Sequence, residues 1–250
     1  MNVITPDWPA PKQVRAATTT RQGGVSQPPF DSFNLGGHVG DEPTAVAANR
    51  KQLRKALSLP AEPYWLSQVH GSTVANLDAD PGGLPEADAS TTTIKGTVCA
   101  VLTADCLPVL FCDHAGTQVA AAHAGWRGLA AGVLENTVES FAASPEQIIA
   151  WMGPAIGPHA FEVGDEVLQA FCEVDPAAAE AFIAAPSEAN EKKWFADVYR
   201  LARQRLATVG VKNVYGGGRC TFTEADDFYS FRRDGKTGRM GSLVWIEEEE

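Results

Sequence analysis

Three polar residues, one cysteine and two histidines, lie where predicted strands end and could together bind a metal ion. His70 follows a short predicted strand, Cys106 separates two apolar runs, and His123 ends a third. A thiolate and two imidazoles suit zinc, because three protein ligands leave a fourth position open for water or substrate. Their spacing, with 35 and 16 intervening residues, matches no short zinc signature. By spacing alone, a buried structural cysteine and two hydrogen-bonded histidines remain the simpler interpretation.

The same residues also suit a metal-free hydrolase, in which Cys106 is the nucleophile and His123 its general base. The second histidine, His70, favours the metal site, because a Cys–His pair does not need it. A multicopper oxidase is disfavoured, since such enzymes bind copper in several types of site through many histidines, often as His-x-His pairs. This chain has five histidines and no His-x-His pair.

Two arginines are candidates for binding an anion. Arg127 directly precedes a predicted helix, so its guanidinium and the free backbone N–H groups of the first turn can point the same way. Arg21 is followed by Gly23 and Gly24, which let a backbone approach a phosphate closely. Helix packing with a surface salt bridge explains Arg127 equally well, and a plain turn explains Arg21.

Three further residues are candidates for proton transfer or substrate binding. Asp105 adjoins the candidate ligand Cys106, and it could orient a histidine or act as acid and base. A turn-capping role for Asp105 is an equal alternative. Gln68 points to the same side of a strand as His70, and Gln68 and Asn34 are both candidates for contact with substrate. His38, in a flexible segment near Asn34, is left without a role.

Strands buried on both faces must hold these residues, because the apolar runs around them are short and β-branched. Predicted strands cover 97–104, 107–112, 117–123, 147–152, 212–216, 228–232 and 241–246, with two short strands within 64–77. Predicted helices cover 44–59, 128–142, 163–173, 176–184 and 195–209. The last three predicted strands follow one another without a helix between them, which favours an α+β sandwich with mixed sheets over a pure βαβ fold. Residues 1–250 are predicted to form one domain.

Charge and cysteine usage narrow the class of protein. The net charge of −11 argues against nonspecific binding to nucleic acid or to an anionic membrane. Five irregularly spaced cysteines without a CxxC pattern indicate reduced thiols in the cytoplasm. We expect no signal peptide, no membrane span and a monomer.

Six segments carry a resemblance to a known family: 20–26 (TRQGGVS), 34–36 (NLG) with 40–41 (GD), 68–71 (QVHG), 87–89 (ADA), 103–108 (TADCLP) and 123–128 (HAGWRG). The chain resembles the YfiH family, also called the laccase-domain or polyphenol-oxidoreductase family, over almost its whole length. The resemblance implies a four-layer α/β/β/α sandwich. It also implies that the family's metal-binding His, Cys and His correspond to His70, Cys106 and His123.

The resemblance implies an activity on purine nucleosides, which gives the first functional hypothesis. This is a zinc-dependent phosphorylase for adenosine, inosine and methylthioadenosine that also deaminates adenosine, with phosphate as second substrate. Its predicted catalytic residues are Asp105, Cys106 and His123. The alternative is a Cys–His amidase that edits peptidoglycan precursors, since some family members are linked to that process. Oxidation of phenols with copper should be adventitious.

Overall fold

The computed structural model describes residues 1–79, 82–186 and 192–247. The strands are β1 Val3–Ile4, β2 Val14–Thr19, β3 Val74–Asn76, β4 Ala89–Thr92, β5 Val98–Thr103, β6 Leu107–Asp113, β7 Val119–Ala124, β8 Ile148–Met152, β9 Glu162–Gly164, β10 Phe182–Ala184, β11 Lys193–Ala196, β12 Asn213–Gly216 and β13 Met240–Ile246. The α-helices are α1 Pro43–Ala56, α2 Trp126–Ala130, α3 Val133–Glu139, α4 Asp165–Cys172, α5 Val198–Thr208 and α6 Phe231–Asp234. Short 3-10 helices cover Leu77–Ala79, Pro145–Gln147 and Pro176–Ala181.

Two sheets pack face to face at the centre of the molecule. One has the strand order β1-β2-β13-β5 and is antiparallel throughout. The other has the order β12-β8-β6-β7-β4-β3 and is mixed, because β12–β8 and β3–β4 are parallel pairs. A third sheet, β10-β11-β9, is small. The predicted α+β sandwich with mixed sheets is therefore confirmed.

Side chains of successive strand residues enter different cores, which explains the continuous apolar runs. In β5, Cys99 and Val101 pack between the two large sheets, whereas Ala100 and Leu102 pack in the core that contains Leu53 of α1. The opposite face of the six-stranded sheet packs against α2 to α5. The layers are thus helix, sheet, sheet, helices, as the resemblance implied. Full burial of a valine or leucine side chain such as Val101 or Leu53 stabilises the fold by about 1.5–3 kcal/mol.

Several predicted elements were wrong in detail. The helix predicted over 128–142 is two helices, because Gly132 adopts a left-handed conformation with φ 93° between α2 and α3. The strand predicted over 228–232 is instead a loop followed by α6, which begins where the Ser230 side chain accepts a hydrogen bond from the Arg233 backbone N–H.

The helices predicted over 163–173, 176–184 and 195–209 each overlap a strand of the small sheet. Residues of β9, β10 and β11 pair with one another at those helix boundaries. The stretch 64–77 contains β3 and two isolated bridges rather than two strands. None of the described helices combines the length and hydropathy that crossing a membrane requires.

Candidate metal centre

The side chains of His70, Cys106 and His123 converge at one edge of the central sheets. Their ligand atoms all lie within 4.8 Å of one another. Cys106 Sγ is 3.9 Å from His70 Nε2, and the two imidazole rings meet edge to face with centroids 4.8 Å apart. The antiparallel pairing of β6 with β7 brings the Cys106 turn next to His123.

Backbone geometry at the two flanking turns is unusual and aims the ligands. His70 has φ 61° and Asp105, next to Cys106, has φ 86°. Residues other than glycine rarely adopt positive φ, although Asp and His are among those that tolerate it best. Such backbone strain concentrates at functional sites, where the surrounding structure maintains it.

Two glycines allow the ligand-bearing segments to approach each other. A Cβ atom at Gly125 would lie 2.8 Å from His70 Cδ2 and 3.2 Å from Cys106 Sγ. A Cβ atom at Gly128 would lie 2.5 Å from the Gly71 carbonyl oxygen. Any larger side chain at either position would push the His70 loop away from α2, so these glycines are part of the site.

The fully buried Asp88 connects two of the candidate ligands. Its carboxylate lies 2.7 Å from His123 Nδ1 and accepts backbone N–H bonds from Val69, His70 and Gly71 at 3.1, 2.9 and 2.7 Å. A carboxylate is an acceptor, so His123 donates through Nδ1, and Nε2 is the ring nitrogen left to bind a metal. This is the outer-shell partner that metal-bound histidines usually have.

Charges within the group favour a thiolate on Cys106 and a proton on His123, and a metal ion would have to displace that proton. Burial raises the pKa of the Cys106 thiol, but the charge of His123 and hydrogen bonds from both histidines outweigh it and lower the pKa to about 6. Burial lowers the pKa of His123, whereas the Cys106 thiolate and the Asp88 carboxylate raise it to about 9. Cys106 is therefore poised as a thiolate, the form that coordinates metals.

The donor set fits zinc. A tetrahedral zinc ion with Zn–S near 2.3 Å and Zn–N near 2.0–2.1 Å separates sulfur and nitrogen ligands by roughly 3.5 Å, close to the 3.9 Å between Cys106 Sγ and His70 Nε2. Within the described ranges, no other cluster of three or more His, Cys, Asp or Glu side chains is placed to hold a metal ion. The residues therefore fit one metal ion with three protein ligands.

The three ligands form one wall of a cavity of about 220 Å³. His123 is buried, Cys106 is partly exposed, and His70 is exposed. The other polar and aromatic side chains that line this cavity are His38, Gln68, Thr103, Phe231 and Arg239. The group can therefore be reached by a small substrate.

Two predicted substrate-binding residues lie at or near this cavity, but their amides are engaged. Gln68 lines the cavity, and its side chain exchanges two 2.8 Å hydrogen bonds with the Leu102 backbone of β5. Asn34 is fully buried, and its Oδ1 accepts the backbone N–H groups of Gly36 and Arg239 at 2.9 Å. Both amides organise the backbone around the cavity.

The two predicted anion-binding arginines lie outside the cavity lining. Arg21 donates to the carbonyl oxygens of Asp31 and Ala225 at 3.1 Å and lines a separate cavity. Arg127 is exposed, with its guanidinium 4.4 Å from the Trp126 ring centroid. Neither arginine lines the cavity that the three candidate ligands share.

The predicted catalytic residue Asp105 is buried and its carboxylate is fully engaged. It accepts hydrogen bonds from the hydroxyls of Thr221 and Ser230 at 2.6 and 3.0 Å and from the Arg232 backbone N–H at 2.6 Å. These partners tie the β5–β6 turn to the beginning of α6. Asp105 therefore positions Cys106 and the Phe231 side of the cavity.

Sequence reasoning gave no role to Asp88, Arg239, Thr103 or His38. The sequence did carry a signal for Asp88. It is the one acidic residue in the small-residue segment 87–89, and a buried acid almost always has a partner. The partners themselves come from segments that are distant in sequence. The remaining three residues became recognisable only through the cavity that they line.

Comparisons with known proteins agree over almost the whole chain. Residues 15–247 match a family model described as multi-copper polyphenol oxidoreductase laccase. The chain is similar to proteins named purine nucleoside phosphorylase YfiH in Escherichia coli, at 59% identity over 98% of each chain, and purine nucleoside phosphorylase in Pseudomonas aeruginosa, at 56% identity over 98% of each.

Two solved structures share the fold. A Neisseria meningitidis protein has a TM-score of 0.94 and 52% identity, with coverage of 99% of this chain and 100% of the other. A Bacillus licheniformis hypothetical protein, YfiH, has a TM-score of 0.88 and 32% identity, with coverage of 94% and 93%. The fold and the family implied by the sequence are both confirmed.

Proposed function

Since this chain belongs to the YfiH family of laccase-domain proteins, we propose that it is a zinc-dependent purine nucleoside phosphorylase with adenosine deaminase activity. The observation that carries the proposal is the convergence of His70, Cys106 and His123 on an accessible cavity. The names of the relatives support the substrate class. The substrates are adenosine, inosine and methylthioadenosine with inorganic phosphate, and the protein acts as a monomer in the cytoplasm. Five unpaired cysteines suit that reducing compartment.

Phosphorolysis exchanges one bond for another at the anomeric carbon of ribose. A phosphate oxygen forms a bond to C1′ while the C1′–N9 bond breaks and its electron pair leaves with the purine. The proton of hydrogen phosphate passes to the departing base, so ribose 1-phosphate and the free purine are the products. The protein must hold the phosphate and C1′ in line, because positioning supplies much of the catalysis in such reactions.

The residues of this chain hold and orient the reacting groups. His70, Cys106 and His123 would bind the zinc ion, which supplies a Lewis acid when present. Asp88 fixes the His123 ring and the His70 backbone. Asp105 holds the Cys106 turn against α6. Together they keep the cavity walls fixed around the substrate.

The test measures metal and products on the same preparation. Protein purified without added metal should contain about one zinc per chain, and inosine should yield hypoxanthine only when phosphate is present. Cys106→Ala, His70→Ala and His123→Ala should each lose the zinc and keep the fold. Cys112→Ala is the matched control, because this buried cysteine lies at the far end of β6. Activity in protein without stoichiometric metal would refute zinc dependence.

A second candidate function is supported by the same geometry. Asp88, His123 and Cys106 form a chain of contacts that matches a carboxylate–imidazole–thiolate triad. A cysteine amidase that edits peptidoglycan precursors would use such a triad without metal. A covalent acyl group trapped on Cys106 in metal-free protein, with amide hydrolysis intact, would establish this function in place of the phosphorylase.

A further inference from the structure

Thr103 lines the cavity that the three candidate metal ligands share, and it carries a buried hydroxyl without a hydrogen-bond partner among the described residues. It ends β5 and is 2% exposed. Burying a hydroxyl without a partner is unfavourable. A ligand that accepts a hydrogen bond would satisfy this group.

Arg239 presents a guanidinium at the same cavity with most of its donors unused. Its Nη1 donates to the carbonyl oxygens of Thr237 and Gly238 at 3.0 and 2.9 Å. In the described part of the chain, its Nε and Nη2 groups have no hydrogen-bond partner. One edge of the guanidinium is therefore anchored, and the donors of the other edge are free to bind an anion.

The backbone around Arg239 is held in a way that fixes the guanidinium. Asn34 Oδ1 accepts the Arg239 backbone N–H at 2.9 Å. The Arg239 stem packs so closely on Gly36 that a Cβ atom there would lie 2.8 Å from its Cγ. Asn34 and Gly36 belong to one of the segments that carry the family resemblance, and their positions give that segment a physical role. An arginine held this way loses little entropy when it binds a ligand.

The lining of the cavity indicates the chemical class of the ligand. Arg239, Thr103 and His38 supply donors, and within the described ranges no carboxylate lines the cavity. Ribose hydroxyls, which donate as well as accept, have no acidic acceptor here, whereas an anion is matched by every one of these donors. A volume of about 220 Å³ is below the roughly 300–1,000 Å³ of sites that enclose drug-sized ligands. The enclosed part of the cavity thus suits a small anion, with the purine left near the exposed Phe231 ring.

We propose that Arg239 and Thr103 bind the inorganic phosphate that attacks the nucleoside, next to His70, Cys106 and His123. This inference rests on the proposed phosphorylase activity and names the residues that hold its second substrate. It differs from the sequence-based prediction for Arg21 and Arg127, which lie outside the cavity lining.

The experiment measures KM separately for phosphate and for inosine in zinc-loaded protein. Arg239→Met and Thr103→Val should each raise KM for phosphate by about 10-fold or more, the effect of losing one charge-assisted hydrogen bond. KM for inosine should change by less than about threefold, because the nucleoside keeps its own contacts. Thr103→Ser keeps the hydroxyl and should restore phosphate affinity. Arg54→Met, at an exposed position of α1, is the matched control.

Thr103→Val removes an unpaired hydroxyl without removing volume, so the variant should fold even if Arg239→Met does not. Arg21→Met and Arg127→Met are tested in parallel. An increase in KM for phosphate in these two variants, with Arg239→Met and Thr103→Val unchanged, would overturn the inference.

A binding measurement separates this inference from the proposed function. Phosphate should raise the Tm of the wild-type protein more than sodium chloride at equal ionic strength, and this increase should disappear in Arg239→Met and Thr103→Val. If wild-type protein shows no phosphate-dependent cleavage but keeps this difference, the phosphate site stands and the phosphorylase function fails. Equal Tm increases in wild type and both variants would refute the phosphate site itself.

Discussion

Asp88 holds the His70 loop and the His123 ring with one carboxylate, so it determines how two candidate ligands face each other. Burial raises the pKa of Asp88, but hydrogen bonds from His123 and from backbone N–H groups outweigh it and keep the pKa below its usual value. The side chain is therefore a carboxylate in the folded protein. Four groups donate hydrogen bonds to this carboxylate, so the amide N–H group of an asparagine would face a donor instead of an acceptor.

We expect Asp88→Asn to weaken zinc binding by about 10- to 100-fold, the usual effect of losing an outer-shell partner. Competition with a chromophoric chelator measures the affinity. Asp113→Asn is the matched control, because Asp113 also accepts backbone and hydroxyl hydrogen bonds, from Thr117 and Gln118, but at the far end of β6. Equal zinc affinity in wild type and Asp88→Asn would show that Asp88 does not support the metal centre.

The reactivity of Cys106 distinguishes a metal ligand from a free nucleophile. Zinc bound to the thiolate should make alkylation by iodoacetamide slow, and a chelator should make it fast. In metal-free protein a thiol with a pKa of about 6 is mostly ionised at pH 7. Mass spectrometry of the labelled peptides measures both rates, and the partly exposed Cys220 provides an internal comparison. Rapid labelling of Cys106 in zinc-loaded protein would contradict its role as a ligand.

At the scale of elements, the central strands were predicted well because burial on both faces gives continuous apolar runs. The strands β5, β6, β7 and β8 all lie within one or two residues of their predicted bounds. Predictions failed where tertiary contacts decide the local structure. The β-like sequence of 228–232 becomes a loop and a helix, because Asp105 accepts the Arg232 backbone N–H from across the molecule.

Asp105 connects the β5–β6 turn to α6, and we expect this connection to dominate the effect of its mutation. Asp105→Ala removes the acceptor of three hydrogen bonds and leaves a non-glycine residue at positive φ without a favourable side chain. Stability should fall by about 2–4 kcal/mol. Thermal and urea unfolding measure this loss.

Asp105→Asn separates the positioning role from proton transfer. Asparagine tolerates the left-handed conformation and can still accept hydrogen bonds, so stability should recover in part and kcat should recover with it. A kcat that stays as low as in Asp105→Ala, while the urea midpoint returns toward the wild-type value, would identify Asp105 as the proton donor or acceptor.

At the scale of the whole molecule, the candidate site could be predicted only in part from sequence. Spacing alone did not identify the three ligands, because they lie in three separate segments of the chain. His70 is in a loop, Cys106 in a turn and His123 in a strand. The family resemblance identified them, and the structure then brought them together. The phosphate-binding arginines were sought next to glycines and helix beginnings. Arg239 also follows a glycine, Gly238, but the sequence did not single it out, since the cavity that it lines is formed by strands, loops and α6 together.

The hydrophobic cores of the described residues contain none of the candidate ligands. We therefore expect chelation of the metal to lower the thermal stability without unfolding the protein at 25 °C. A ligand present at 1,000 times its Kd stabilises the folded state by about 4 kcal/mol. For a chain of this size that corresponds to a Tm lower by about 8–16 °C after chelation.

Calorimetry with and without chelator measures this shift, and far-UV circular dichroism at 25 °C should be the same in both samples. His70→Ala should have the lower Tm from the start and should not respond to chelator, because it lacks one ligand. Loss of the circular dichroism signal on chelation would mean that the metal is needed for folding. The metal centre would then be structural, because the packed layers alone would not suffice to hold the chain in its native fold.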